Sequence, residues 1–229
     1  MRPPRVGEVK HLPITQVLRD YLVRNATRLD PVTSDLIDRT AEELGHPSIM
    51  QIPGEQAALM TMLARLTGAR LALDIGTFTG LSALALARGL APGGTVITCD
   101  ITDDWGLARE HWDKAGVADL IDFRIGPAAT TLRALPADTM IDIAFLDADK
   151  ESYAEYYRLI KPLLRPGGLL LVDNVLFNGY VLDPELADAG VVRDSARALR
   201  AFNALLAADD DLESVMLPIA DGLTIARKK

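Results

Sequence analysis

The sequence predicts an α/β fold: a doubly wound, seven-stranded and mostly parallel sheet, preceded by a helical extension and ending in an antiparallel hairpin. From residue 71 onward, short apolar runs alternate with segments of helical length, which is typical of parallel strands joined by crossover helices. Three helical patterns precede the first strand. An Asp-Gly pair lies between the last two predicted strands, as in a hairpin turn. We therefore expect a single domain over residues 1–229, with an N-terminal helical extension (1–68) and a core (69–229).

Length and composition agree with one globular domain and exclude several classes of partner. The chain has 229 residues, of which 49% are hydrophobic, and this suits one α/β core. Its net charge of −8 argues against nucleic acid, because phosphate backbones are bound by basic surfaces. The sequence has no apolar run of membrane-spanning length, no signal-peptide pattern at its start, and a single cysteine, Cys99, so no disulfide framework exists. We expect a cytoplasmic protein that binds neither nucleic acid nor membrane.

The first 68 residues predict three helices. Apolar residues at a spacing of three to four mark the first as amphipathic, and Pro31 is expected to end it. Thr33 or Ser34 is the expected cap of the second helix, which Gly45 ends. The predicted elements are a loose arm (1–11), a helix (12–29), the helix that ends at Gly45, an extended loop (46–53) and a helix (54–67).

The core is predicted from its alternation of strand-like and helix-like segments. A longer loop at 175–190 precedes the last helix, and Ile219–Gly222 forms the hairpin turn. The predicted strands are 71–75, 95–99, 120–125, 141–146, 168–172, 212–218 and 222–228. The predicted helices are 81–88, 103–115, 128–135, 151–164 and 191–207.

Polar side chains follow two neighbouring strands where each strand ends. Asp147 and Asp149 come after one apolar run, and Asp173 and Asn174 after the next. Because ligands of parallel sheets bind outside the carboxyl ends of the strands, we expect these residues to converge. Three carboxylates and an amide repel one another unless a cation lies between them, and a hard divalent cation prefers such oxygen ligands. Lys150 lies beside this cluster, and Asp149 is also a plausible helix cap.

A glycine-bearing loop, Asp74-Ile-Gly-Thr-Phe-Thr-Gly80, follows the first strand. Its glycines allow a ligand to approach the backbone, and the next helix favours a negative group at its N-terminus. Phe78 stands where the dinucleotide fingerprint has a glycine, which makes a pyrophosphate less suitable. Asp100, at the end of the second strand, can accept hydrogen bonds from a ribose diol, although a structural turn with a capping aspartate is the alternative. Ser82 can bind an amino acid's carboxylate or cap the helix.

These residues resemble a known family: the class I S-adenosylmethionine (SAM)-dependent O-methyltransferases of the cation-dependent type, which include caffeoyl-CoA and catechol O-methyltransferases. The resemblance covers nearly the whole chain. It depends most on FLDADKESY together with VDNVLFNG, and it extends to SIMQIPGEQAALM, LALDIGTFTGLSALALA and LPIADGLTIARKK. It implies a Rossmann-like core, a cofactor-binding region at 69–229 and helices at 1–68 that form a substrate lid.

The family's functional positions are carried over one by one. The resemblance implies that Asp147, Asp173 and Asn174 are metal ligands, that Lys150 is the general base, and that Phe177 contacts the acceptor. Phe177 stands where many relatives have Trp, and Asp74 where many have Glu. The positions that the resemblance assigns to SAM are Met50, Asp74, Gly76, Thr77, Phe78, Ser82, Asp100, Ala128 and Asp147, with Ala129 beside the adenine pocket.

The reaction that the resemblance implies is methyl transfer to a small phenol. Mg²⁺, or else Mn²⁺ or Ca²⁺, would hold both hydroxyls of a vicinal diphenol and lower the phenol pKa, Lys150 would accept the proton, and the phenolate would attack the methyl group. A homodimer is also expected. Three alternatives stay open at the level of sequence: an NAD(P)-dependent oxidoreductase, against which Phe78 argues; a metal-dependent hydrolase, which leaves the glycine loop without a role; and a non-catalytic relative that binds SAM.

Overall fold

The computed structural model describes residues 13–229, and within them seven strands form one sheet in the order β3-β2-β1-β4-β5-β7-β6. Strands β1 to β5 run parallel to one another, and β7 is antiparallel to both β5 and β6. The predicted fold class is therefore confirmed. The strands are β1 (Leu71–Ile75), β2 (Thr95–Asp100), β3 (Ile121–Ile125), β4 (Ile141–Leu146), β5 (Leu164–Val172), β6 (Leu212–Leu217) and β7 (Leu223–Lys228).

Helices cover both faces of this sheet. Alternate strand residues point to opposite faces, so Ala72 joins a core formed with α2 to α5, while Leu73 joins a core formed with α6 to α8. The helices are α1 (Gln16–Arg24), α2 (Pro31–Leu44), α3 (Gly54–Leu66), α4 (Leu81–Gly89), α5 (Leu107–Lys114), α6 (Ala128–Ala134), α7 (Tyr153–Ile160) and α8 (Val191–Ala207). None of these described helices is long and apolar enough to cross a membrane, and the cytoplasmic location stays a prediction.

The chain reverses its direction of winding between β1 and β4. After β1 it continues outward to β2 and β3, and it then returns to add β4 and β5 on the other side of β1. Such a switch point opens a crevice at the carboxyl ends of the strands, which is where doubly wound sheets bind ligands. The loops after β1, β2, β4 and β5 therefore meet at one edge.

The N-terminal helices differ from the prediction at their ends. Pro31 begins α2 instead of ending α1, since the first helical position needs no backbone N–H. The cap of α2 is Asp30, whose carboxylate accepts the amides of Val32 and Thr33, so the expected cap at Thr33 or Ser34 is wrong. The first predicted helix is shorter than expected, because α1 ends at Arg24. The predicted arm at 1–11 and Leu12 lie outside the described residues.

Four other boundaries also change. The predicted extended loop after Gly45 contains a 3-10 turn, His46–Met50. Helix α5 begins at Leu107 instead of 103. Helix α7 ends at Ile160, because Pro162 directs the chain into a 3-10 turn, Lys161–Leu163. Strand β5 begins at Leu164, four residues early, and its register against β4 shifts between Ile141 and Ile143.

The cap of α2 also anchors this helix to the core. Asp30 accepts a hydrogen bond from Arg88 of α4 at 2.7 Å. Burial raises the pKa of Asp30, but the hydrogen bonds from Arg88 and Thr33 outweigh it and lower the pKa to about 2. This stabilisation is therefore present above the ordinary carboxyl pKa near 3.8 and is lost as the pH falls toward 2.

Replacing this cap is expected to destabilise the protein. Asp30→Ala removes the cap and leaves Arg88 without its carboxylate, which costs about 1–2 kcal/mol and lowers Tm by several degrees at neutral pH. Ser34→Ala is the matched control, because Ser34 lies one turn away and does not cap the helix. Thermal unfolding of both variants would contradict this account of the cap if Ser34→Ala lost as much stability as Asp30→Ala.

Candidate active site

The edge formed by the strand ends contains a small cavity that includes six of the predicted cofactor residues. Strand β1 ends beside β4 with Ile75 paired to Leu146, and the Asp147 amide donates to the Ile75 carbonyl at 2.9 Å. The glycine loop and the first acid of the cluster are therefore in direct contact. The cavity is lined by Met50, Gln51, Ile52, Gly76, Thr77, Phe78, Thr79, Leu81, Ser82 and Asp147.

The glycine loop is held by the end of β2. Its Gly76 amide donates to the Cys99 carbonyl at 2.9 Å, and the amides of Thr77 and Phe78 donate to one Asp100 oxygen at 2.9 and 2.7 Å. Gly76 has φ 102°, and a Cβ there would lie 1.8 Å from the Asp147 carbonyl oxygen, so only glycine fits. Asp100 can hold this turn and still accept hydrogen bonds from a ribose diol, because each carboxylate oxygen can accept more than one hydrogen bond. The geometry is therefore compatible with both predicted roles.

Asp74 lies beneath this loop and is fully buried. Its Oδ2 accepts hydrogen bonds from Ser82 Oγ at 3.1 Å and Thr98 Oγ1 at 2.6 Å, whereas its Oδ1 has no partner. Burial, only partly offset by these hydrogen bonds, raises the pKa of Asp74 to about 7. Ser82 makes no cap for α4. A buried carboxylate with a free oxygen is suited to bind a cationic group of a ligand.

Asp147 and Asp173 lie side by side at the ends of β4 and β5. The Asp173 amide donates to the Leu146 carbonyl at 3.1 Å, which places the two carboxyl groups on neighbouring strands. Lys150 Nζ donates to Asp147 Oδ1 at 2.7 Å and lies 2.9 Å from the Tyr153 hydroxyl. The structure thus brings together the two predicted acidic ligands and the predicted base.

Asp173 is buried and held from two sides. Its Oδ2 accepts a hydrogen bond from Gln56 Nε2 at 2.7 Å, and its Oδ1 accepts one from the backbone N–H of Asn174 at 2.6 Å. Burial, followed by the negative charge of Asp147, raises the pKa of Asp173 to about 7. Asp147 is paired with Lys150, so the buried Asp173 is the carboxyl group that gains most from a proton or a cation nearby.

The donor set at this position fits a hard cation. Asp147 and Asp173 offer carboxylate oxygens, and Asn174 directs its Nδ2 toward Asp221 at 3.4 Å, which leaves its Oδ1 free. In the described part of the chain no three His, Cys, Asp or Glu side chains group as a metal site, so a cation bound here would need the Asn174 amide oxygen as its third protein ligand. Oxygen ligands of this kind suit Mg²⁺, Mn²⁺ or Ca²⁺.

Asp149 does not join the cluster. It is exposed, and its Oδ1 accepts a hydrogen bond from the Tyr156 hydroxyl at 2.8 Å. The alternative role as a cap is not observed either, because its side chain makes no capping hydrogen bond. Asp149 lies three residues past the end of β4, whereas Asp147 directly follows the strand.

The cavity lining does not include the predicted residues Ala128, Ala129 and Phe177. Met50 is half exposed at the end of its 3-10 turn and lines the cavity. Ala128 is buried at the start of α6, and Ala129 packs beside the same core. Phe177 lies in a 3-10 turn after β5, with its ring edge-on to Tyr180.

Several functional residues were missed from the sequence. Gln56 lies one turn before the buried Met60, and this helical spacing indicates a buried side chain but not its partner, Asp173. Thr98 and Gln51 gave no local signal, because their partners are distant in sequence. Gln51 Nε2 bonds the hydroxyls of Thr40 and Thr79 at 2.9 and 2.8 Å, which ties α2 to the glycine loop.

Comparisons with known proteins agree with this site. Residues 24–229 match the family model described as O-methyltransferase. A probable caffeoyl-CoA O-methyltransferase 1 from Dictyostelium discoideum is 37% identical over 91% of this chain and 90% of its own. The catechol O-methyltransferase domain-containing protein 1 of Mus musculus is 40% identical over 92% of this chain and 79% of its own.

Solved structures give the same result. The O-methyltransferase TomG from Streptomyces achromogenes, in complex with SAM, has a TM-score of 0.81 and 30% identity over 93% of this chain and 96% of that one. An SAH-bound methyltransferase from Podospora anserina has a TM-score of 0.84 and 27% identity over 97% of this chain and 100% of that one. The match to the family model and the similarity of these relatives show that the chain belongs to the O-methyltransferase family.

Proposed function

We propose that this O-methyltransferase transfers a methyl group from SAM to a hydroxyl of a small catechol-like phenol, with a divalent cation at Asp147, Asp173 and Asn174. The observation that carries the proposal is the placement of Asp147, Asp173 and Lys150 at the ends of β4 and β5. The names of the relatives, caffeoyl-CoA and catechol O-methyltransferases, support the acceptor class.

The cofactor side is assigned to the glycine loop and its neighbours. When bound, SAM supplies an electrophilic methyl group. The free Oδ1 of Asp74 is suited to bind its ammonium group, and Gly76 allows its close approach to the backbone. Asp100 is assigned to the ribose, while Met50 and Ala128 border the site. TomG, solved with SAM, supports this assignment because its fold matches over nearly the whole chain.

The acceptor side is assigned to the acid cluster. A divalent cation, Mg²⁺ in preference to Mn²⁺ or Ca²⁺, supplies Lewis acidity that favours the ionised acceptor. Asp173, with its raised pKa, gains most from a cation because the cation replaces a proton in a buried site. Phe177 packs against the acceptor ring, and the helices before residue 69 act as the lid.

Lys150 is the proposed base. Its Nζ lies between Asp147 and the Tyr153 hydroxyl, so two neighbours fix its position. Burial holds the pKa of Tyr153 well above its ordinary value, which keeps the phenol protonated and leaves proton transfer to Lys150. In its neutral form Nζ accepts the acceptor hydroxyl's proton before methyl transfer.

The experiment that tests the function is methyl transfer from SAM to a panel of small catechols. Turnover is expected with Mg²⁺, because the cation activates the acceptor. EDTA should abolish this turnover, and added Mg²⁺ should restore it. Matched monophenols, which lack the second hydroxyl, serve as the control and should react far more slowly. Turnover that is indifferent to EDTA would contradict the metal mechanism, and SAM binding without turnover of any catechol would contradict the acceptor class.

Replacing Lys150 is expected to remove the base without removing the cofactor site. Lys150→Ala should lose about 10²–10⁴ in kcat while retaining SAM affinity. Lys150→Arg retains a positive charge near Asp147 but cannot accept a proton, so it should be nearly as slow. Stopped-flow or steady-state assays would contradict the assignment if Lys150→Arg retained the wild-type kcat.

A homodimer is the proposed assembly. Helix α1 has no buried residue, and Val17, Tyr21 and Leu22 each leave more than half of the side chain exposed. A second copy that packs on this apolar surface would bury it. Light scattering at micromolar concentration should give twice the mass of one chain, 24.8 kDa, and Tyr21→Glu should shift the protein toward monomer. A monomeric wild-type protein would contradict the proposal.

A further inference from the structure

The turn between β6 and β7 packs against the loop that follows β5. The amides of Val175 and Leu176 donate to the carbonyls of Gly222 and Asp221 at 3.2 and 2.9 Å. The backbone N–H of Asn178 donates to Asp221 Oδ1 at 2.6 Å. Two distant parts of the chain are therefore joined by backbone and side-chain hydrogen bonds. We call residues 174–178 the acceptor loop, because it contains both Asn174 and Phe177.

The acceptor loop is held in an unfavourable backbone conformation. Asn174, Phe177 and Asn178 have φ of 56°, 45° and 52°, in the left-handed region that residues with a Cβ seldom adopt. Such conformations persist only when the surrounding structure enforces them, and they concentrate at functional sites. Asp221 contributes to holding this conformation, since its carboxylate reaches both ends of the loop.

The same carboxylate selects which atom of Asn174 faces the metal position. Asp221 Oδ2 lies 3.4 Å from Asn174 Nδ2, and an ionised carboxylate only accepts hydrogen bonds. The side-chain amide of Asn174 is therefore oriented with Nδ2 toward Asp221 and with Oδ1 away from it. Outer partners of this kind fix the orientation of metal ligands in other sites.

The turn can approach so closely because Gly222 has no side chain. A Cβ at Gly222 would lie 2.5 Å from Leu176 Cγ and 2.8 Å from the Leu176 backbone nitrogen. Gly222 also has φ 92°, which strongly favours glycine. The Asp-Gly pair thus serves two purposes: it turns the hairpin, and it places the carboxylate of Asp221 against the acceptor loop.

We propose that Asp221 is a positioning residue of the acceptor and metal site, which orients the Asn174 amide and fixes the acceptor loop that carries Phe177. The inference rests on the proposed function, since it concerns the same cation and acceptor. In this role Asp221 acts through its contacts with Asn174 and Asn178, and it needs no contact with SAM or the acceptor.

Mn²⁺ affinity, measured by electron paramagnetic resonance, tests this role in the full chain without an activity assay. Asp221→Ala is expected to raise the Mn²⁺ Kd by about 10–100-fold, as loss of an outer partner does, and to raise the acceptor KM, while the SAM Kd changes less than about twofold. Glu213→Gln is the matched control, because Glu213 lies in the same hairpin and, within residues 13–229, pairs only with Arg227; it should leave all three constants unchanged.

Asp221→Asn separates this role from a general effect on folding. Its amide oxygen can still accept the Asn178 N–H, so the loop and Tm should stay close to wild type. Its NH₂ group, however, would face the NH₂ of Asn174 and turn that amide over, so Mn²⁺ affinity should still fall at least about fivefold. If this variant retains wild-type Mn²⁺ affinity and acceptor KM, or if SAM affinity falls in parallel, the positioning role is wrong.

The wild-type protein distinguishes this inference from the proposed function. Wild type that binds Mn²⁺, beside Asp221 variants that bind it equally well, would overturn the role of Asp221 and leave the proposed function intact. Wild type that binds no Mn²⁺ and transfers methyl groups in EDTA would overturn both.

Discussion

The parallel pairing of β1 with β4 is the constraint on which the rest of the site depends. The two strands end together, and the Asp147 amide bonds to the Ile75 carbonyl. The approach is so close that Gly76 has no room for a Cβ. A loop suited to a cofactor and a carboxylate suited to a metal are thereby placed next to each other. In the proposed mechanism, this contact sets the distance between SAM and the acceptor.

Much of this arrangement was predictable because it follows from local patterns. Apolar runs ending in Asp100, Asp147 and Asp173 located the strand ends, and the topology of doubly wound sheets brought them to one edge. Residues whose role depends on distant partners were not predictable in this way. Gln56 is 117 positions from Asp173, and no local pattern connects them. The cap of α2 differs from the prediction for a local reason, because Pro31 begins this helix instead of ending the one before it.

Two buried acids give the site its electrostatic character. Burial raises the pKa values of Asp74 and Asp173 to about 7, whereas the unfolded chain loses these protons near the ordinary value of 3.8. Between these pH values the folded state binds more protons than the unfolded state, so the contribution of these groups to stability declines as the pH rises toward 7. Ligands that bring positive charge offset this loss, and binding and stability are therefore linked at this site.

The position of β7 in the sheet has a consequence for the order of assembly during synthesis. Strand β7 lies between β5 and β6, so β5 keeps an unpaired edge until residues 223–228 have left the ribosome. An exposed edge of this kind is a site where chains aggregate. The hairpin turn that holds the acceptor loop arrives in the same step. The nascent chain can therefore pair β1 to β4 and form the glycine loop well before the hairpin turn is available to hold the acceptor loop.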